Sequence, residues 1–121
     1  MLSYFWVALG SALGGMARFA LAEWLPVMGH GSFPLATFLA NVLGSVAIGV
    51  AFATLSGDPA RLFLMVGVLG GFTTFSTFSL QTLLLMTAGR IDLALLNVLG
   101  TLVCCLIGVW SGVKLAGLIL P

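Results

Sequence analysis

Hydrophobic residues in this chain fall in four long runs, and the polar residues inside those runs recur at helical spacing. The runs extend from Tyr4 to Leu25, Leu35 to Leu55, Leu62 to Met86, and Leu93 to about Leu120. A helix needs about 20 apolar residues to cross the hydrocarbon core, so each run is long enough to span a bilayer. In the second run, Thr37, Asn41 and Ser45 stand at i, i+4 and i+8 and form one polar stripe. Asn97, Thr101 and Cys105 repeat that spacing in the fourth, where the stripe fades into Val109. Gly10, Ser11, Gly14 and Gly15 in the first run, and Gly108 and Gly112 in the fourth, mark faces that another helix backbone can approach closely. The pattern predicts an all-α integral membrane fold, with residues 1–121 forming a single domain of four transmembrane helices.

The third run differs from the others. It contains Gly70-Gly71-Phe72-Thr73-Thr74-Phe75-Ser76-Thr77-Phe78-Ser79, two adjacent glycines followed by five hydroxyls in seven residues. Glycines disfavour an unbroken helix, and freed backbone groups are costly in lipid unless they face protein, water or an ion. The third helix is therefore expected to be broken at mid-depth, between Gly70 and Thr74, and to line an ion site there. Beyond the break, Phe75 and Phe78 are three apart and can present their rings along one side, which Ser79 and Thr82 extend, with Gln81 further round.

Between the runs, Pro26 to Pro34 forms a loop that carries His30, the only histidine. Asp58 is expected to be an N-cap with Pro59 at the first helical position, and Asp92 to cap the fourth helix. Arg18, near the end of the first run, has two readings. It is a snorkelling interfacial anchor, or it pairs with a carboxylate or a helix C-terminus and fixes a vestibule.

Composition agrees with a lipid solvent. The 121 residues are 61% hydrophobic and 6% charged, with a mean hydropathy of +1.27, too much apolar surface for a soluble domain of this size to hide. Met1-Leu2-Ser3-Tyr4 lacks a basic leader region, so no cleaved signal peptide is expected. Four scattered basic residues give no nucleic-acid surface. Cys104 and Cys105 are adjacent, without metal-ligand or redox spacing; they are packing residues, with Cys105 able to line the polar strip. No nucleophile, carboxylate pair or metal cluster supports an enzyme.

Charge placement bears on assembly. Arg61 and Lys114 flank one membrane face, and Arg18 and Arg90 the other. Two against two gives the positive-inside rule no preference, so insertion in both orientations is expected. Two inverted copies can then pair about a twofold axis in the membrane plane, as an antiparallel, dual-topology homodimer. Doubled by that axis, backbone carbonyls at the break would suit a hard monovalent cation. The electropositive ring edges of Phe75 and Phe78 can solvate an anion without basic residues. A small, strongly hydrated anion needs close donors, which Asn41, Thr37 and the serine and threonine set provide. Fluoride matches that description best.

These segments resemble the signature of the Fluc (CrcB) fluoride channels. The resemblance lies in the stretch from Gly70 to Ser79, in Gly14-Gly15-Met16-Ala17-Arg18, in Thr37-Phe38-Leu39-Ala40-Asn41 with Gly44, and in Ala94-Leu95-Leu96-Asn97. It implies an antiparallel dual-topology homodimer in the cell (inner or plasma) membrane, passing fluoride passively out of the cytoplasm through two pores lined by both subunits. It also implies a structural Na+ at the centre of the dimer, bound by the carbonyls of Gly70 and Thr73. The fluoride pathway so implied contains Asn41, Phe75 and Phe78, and the polar positions Thr37, Thr77, Ser79, Thr101 and Cys105 extend it. Two departures stand out. Leu80-Gln81 replaces a small residue and a glutamate found in many members, and Cys105 and Val109 replace a serine and a threonine.

A rival of another class is a small dual-topology, proton-coupled exporter. Antiport needs an ionisable group in the membrane interior. Glu23, Asp58 and Asp92 all lie at span ends or caps, which disfavours it. A non-transporting assembly protein would explain the glycine pairs but not the hydroxyl-and-phenylalanine segment.

Overall fold

A computed structural model of the chain describes residues 1–25 and 31–119. His30 and most of the first loop lie outside the described residues. Helix α1 covers Leu2–Trp24 and α2 covers Leu35–Thr54. The third crossing is composite: α3 (Asp58–Arg61), a π-wound segment (Leu62–Leu69), α4 (Gly70–Phe72) and α5 (Phe75–Thr87). Helix α6, Ile91–Ile119, completes the bundle, and there is no strand among the described residues. Four helical stretches, Leu2–Trp24, Leu35–Thr54, Asp58–Thr87 and Ile91–Ile119, are long and apolar enough to cross a membrane.

Two parallel pairs of crossings make the bundle. In one, α1 lies on the π-wound segment and α4; in the other, α2 lies on α6. Small residues set both contacts. A Cβ at Gly14 would collide with the Val68 carbonyl, and one at Gly71 would come 2.7 Å from the Ser11 carbonyl. In the second pair, a Cβ at Gly49 would strike the Val109 carbonyl and one at Gly112 the Val46 carbonyl. Such near-backbone contact is how helices associate where burying leucine against leucine gains little over burying it in lipid.

Burial is inverted relative to a water-soluble domain. Ala40, Ala51, Ala94 and Ala116 are buried together with Thr37, Asn41, Asn97 and Thr101, whereas Leu95, Leu99 and Ile107 face outward. Asn97 is 1% exposed and Leu99 is 61% exposed. In water this distribution would be ruinous; in hydrocarbon it satisfies the polar groups inside and leaves the leucines to the lipid.

Several expectations need correction. Gly70 and Gly71 are helical, with Gly70 at φ −64° and ψ −36°, so the glycines do not begin the change of backbone. Gly71 serves the close approach of α1, whereas a Cβ on Gly70 would meet only the Met65 carbonyl of its own crossing, at 3.7 Å. The non-helical residues are Thr73 (φ −83°, ψ 155°) and Thr74 (φ −151°, ψ 124°). Gly57, at φ 98°, takes the N-cap position expected of Asp58, because only the left-handed region turns the chain sharply enough there; Asp58 and Pro59 lie inside the first turn. Asp92 likewise sits inside the first turn of α6, where its carboxylate takes two hydrogen bonds from Arg90, at 3.0 and 3.1 Å. The π winding was not foreseen, since the run from Leu62 to Leu69 is uniformly apolar and carries no periodic signal.

The α1 contact gives a direct test. Gly14→Val should cost more than about 3 kcal/mol, because the obstruction is backbone and cannot rotate away. Gly15→Ala, which meets nothing within 4 Å, should be tolerated. Thermal unfolding and elution of the purified variants in detergent measure both.

Candidate ion-conducting site

The site grows out of the two extended residues. A helix that stops and restarts strands the backbone groups on either side, and at mid-depth each needs a partner. Asn41 supplies two. Its Oδ1 accepts from Thr74 N–H at 2.8 Å, and its Nδ2 donates to the Thr74 carbonyl at 3.1 Å. The carboxamide thus pairs with the Thr74 peptide as a neighbouring strand would. Arg18 Nε donates to the Gly71 carbonyl at 3.3 Å, engaging the C-terminal end of α4. Of its two readings, the helix-terminus contact is the one seen. Thr74 then caps α5, its Oγ1 accepting from Thr77 N–H at 3.2 Å.

These diversions leave particular oxygens free. Thr74 N–H would serve the Gly70 carbonyl in a continuous helix but is taken by Asn41. Thr77 N–H would serve the Thr73 carbonyl but is taken by Thr74 Oγ1. Among the described residues no other donor reaches either carbonyl. Gly70 and Thr73 are therefore the positions where neutral, hard oxygen ligands remain.

A cleft of about 600 Å³ opens beside them, between α2, the third crossing and α6. Asn41, Gly70, Thr73, Phe75, Phe78, Thr101 and Cys105 all line it, with Ser45, Thr74 and Val109. The rings of Phe75 and Phe78 are 5.4 Å apart at 44°. Phe78 is buried, whereas Phe75 is 78% exposed and projects from the chain. The remaining expected site residues do not line the cleft. Thr37 is buried one turn from Asn41. Thr77 is half-buried beside Thr74, and Ser79 is exposed with its hydroxyl donating to the Phe75 carbonyl at 2.9 Å.

A second polar tie supports the wall. Asn97 Nδ2 donates to Thr82 Oγ1 at 2.9 Å, Thr82 donates to the Phe78 carbonyl at 2.8 Å, and Thr101 Oγ1 donates to Asn97 Oδ1 at 3.4 Å. This chain joins α5 to α6 and fixes the backbone that carries the Phe78 ring. The stripe through Asn97 and Thr101 signalled one half of it; Thr82 as its receiver was not evident from spacing alone. Gln81 Oε1 is buried and has no hydrogen-bond partner among the described residues. No group of three or more histidine, cysteine or acidic side chains able to hold a metal occurs among the described residues.

Four apolar crossings around a cleft of rings, an amide and free carbonyls define a multi-pass helical membrane protein built for a small solute. Residues 5–113 match the family model described as CrcB-like protein, Camphor Resistance (CrcB), and the chain belongs to that family. It is 49% identical to the fluoride-specific ion channel FluC of Paramagnetospirillum magneticum over 120 positions, covering 93% of each chain. The protein of the same name from Methylocella silvestris is 46% identical over 92% of this chain and 90% of its own. That of Thermus thermophilus is 44% identical over 94% and 93%.

Asn41→Ala would leave the Thr74 N–H and carbonyl unpaired. At about 1–3 kcal/mol for each orphaned group, the variant should be destabilised by at least about 2 kcal/mol. Asn41→Gln, which keeps the amide on a longer stem, should recover only part. Thermal denaturation in detergent distinguishes these outcomes.

Proposed function

We propose that this chain forms a fluoride-selective channel that lowers cytoplasmic fluoride by passive efflux across the cell membrane. The observation that carries the reading is the cleft. It joins the Phe75 and Phe78 rings, Asn41, Thr101 and Cys105 beside two carbonyls without helical donors. Membership of the CrcB family and the names of its relatives, which describe a channel and not an enzyme, support the same reading.

Selection works without a basic side chain in the cleft: Arg18 reaches the Gly71 carbonyl but does not line the cleft. An anion entering the cleft leaves water, and the ring edges together with nearby N–H and O–H groups replace part of its hydration. A small ion fits between closely placed donors, and a larger one cannot approach them all. The proton-coupled alternative lacks an equivalent support: Arg90 already engages Asp92, and Glu23 and Asp58 sit at helix ends.

The working unit in this reading is an antiparallel, dual-topology homodimer in lipid, with the third helix of each copy broken at Thr73–Thr74. Two pores are lined by both subunits. The exposed position of Phe75 and of Gly70 supports it, since both would meet a partner rather than lipid. A structural Na+ fits the residues present: the Gly70 and Thr73 carbonyls are hard, uncharged oxygens whose own donors are diverted. When bound, the ion supplies positive charge at the centre of the assembly. Asn41 and Arg18 keep the backbone around those carbonyls in place.

Purified protein in liposomes should release fluoride, and not chloride, under a potassium diffusion potential. Equal chloride efflux would defeat the selectivity, and strict dependence on a pH gradient would favour antiport. Phe75→Ile and Phe78→Ile should each slow efflux at least about tenfold, a barrier change of about 1.4 kcal/mol, while the dimer elutes unchanged. Replacing Na+ by N-methylglucamine throughout purification should weaken the dimer on dilution. A terminal cysteine should be labelled from both sides of spheroplasts; labelling from one side alone would refute dual orientation.

A further inference from the structure

Counting hydrogen-bond donors in the cleft isolates one residue. Thr73 donates its hydroxyl proton to the Leu69 carbonyl at 2.9 Å, and Thr74 donates to Thr77 Oγ1 at 3.2 Å. Thr101 donates to Asn97 Oδ1, and Asn41 commits one N–H to the Thr74 carbonyl. Ser45 lines the same cleft, yet its hydroxyl has no acceptor among the described residues. For a hydroxyl inside an apolar helix the carbonyl four residues back is the partner at hand. Thr54, Thr73, Ser79 and Thr82 take that carbonyl, whereas Ser45, like Ser11 and Ser111, does not; of these three only Ser45 lines the cleft.

Its depth matters as much as its freedom. The adjacent Gly44 has no Cβ because one there would run into the Thr73 methyl, so Ser45 stands level with the Thr73–Thr74 interruption. On its other side, the Ser45 Cβ lies 3.4 Å from where a Cβ at Gly108 would be. Close packing on α6 explains a small residue at this position. It does not explain a hydroxyl, since alanine would pack as well without leaving a polar group in an apolar wall.

The geometry points to Ser45 as an anion-coordinating residue, donating its O–H to the permeating ion at the depth of the interruption. This rests on the channel reading and adds to it a donor from α2 that lies one turn beyond Asn41. The Cys105 thiol, lining the same cleft from α6, is a weaker donor and does not replace it.

Ser45→Ala tests this with little change of volume. A hydrogen bond to a charged partner is worth enough that fluoride efflux from liposomes should fall about tenfold or more, with chloride still excluded and the dimer's elution and thermal stability unchanged. Ser45→Cys, which keeps a weak donor at the same size, should give an intermediate rate. Ser111→Ala, on α6 outside the cleft, should match the parent. Parent-level efflux from Ser45→Ala, in vesicles where Phe78→Ile has lost efflux, would reduce Ser45 to a spacer and overturn the inference. Should Ser45→Ala lose stability as well, Ser45→Cys decides: parent-level efflux from it overturns the inference, and an intermediate rate supports it. Absence of fluoride efflux from the parent protein would instead overturn the channel reading itself.

Discussion

The pairing of the Asn41 carboxamide with the Thr74 peptide is the contact on which the rest of the molecule depends. Hydrocarbon offers no partner to a backbone group, so a helix can be interrupted there only if something inside the protein replaces the missing ladder. Asn41 does so in one place, with an acceptor for the N–H and a donor for the carbonyl. Arg18 and the Thr74 hydroxyl take up the Gly71 carbonyl and the Thr77 N–H. What remains is determined by subtraction. The Gly70 and Thr73 carbonyls are free because their usual donors have been drawn elsewhere, so the free oxygens and the clamp are two sides of one arrangement.

The same accounting explains why the cleft is poor in donors. Threonine and serine hydroxyls are plentiful along the third and fourth crossings, but most turn back to their own helix or to one another. Hydroxyl content alone would describe a wet, polar passage. The arrangement is instead an apolar wall with two rings and a few uncommitted protons, in which a small ion is held by position more than by charge. Close approach of the helices makes this possible. Gly14 and Gly71 at the α1 contact, and Gly44 against Thr73, bring the helices near enough for Arg18 and Asn41 to reach stranded groups 53 and 33 residues away in sequence.

Much of this was legible in the sequence. The four crossings follow from apolar length, and the stripes through Asn41 and Asn97 do face inward, because a period of 3.6 places i and i+4 on one face whatever the partner is. The anomaly of the third run marks the stretch in which Thr73 and Thr74 are extended. Within it the conformational freedom of glycine goes unused, and at Gly71 the lack of a side chain is what counts. Gly70 and Gly71 stay helical, Gly71 admits α1, and the threonines after them become extended. The partners of Thr74 and of Gly71 were invisible for another reason. A hydrogen bond across 33 or 53 residues depends on how helices are placed, and no spacing within one helix encodes it. Asp58 and Asp92 show the limit at the ends of helices, where residues suited to capping fall one and two positions inside the first turn, Asp58 after the Gly57 turn and Asp92 paired with Arg90.

One consequence concerns the outer surface. A single copy leaves the Phe75 ring 78% exposed at the depth where its neighbour Phe78 is buried. Lipid would accept the ring without penalty, but Gly70 beside it is exposed as well, and its carbonyl has lost its helical donor, which lipid cannot replace. A surface that is apolar except for an unsatisfied oxygen at mid-depth is incomplete as a lipid-facing surface. In the dimer we propose, the inverted copy covers that oxygen and brings its own ring to the cleft. Balanced arginines and lysines on the two faces, which would be a liability for a protein needing one orientation, then become the condition for making both halves from one sequence.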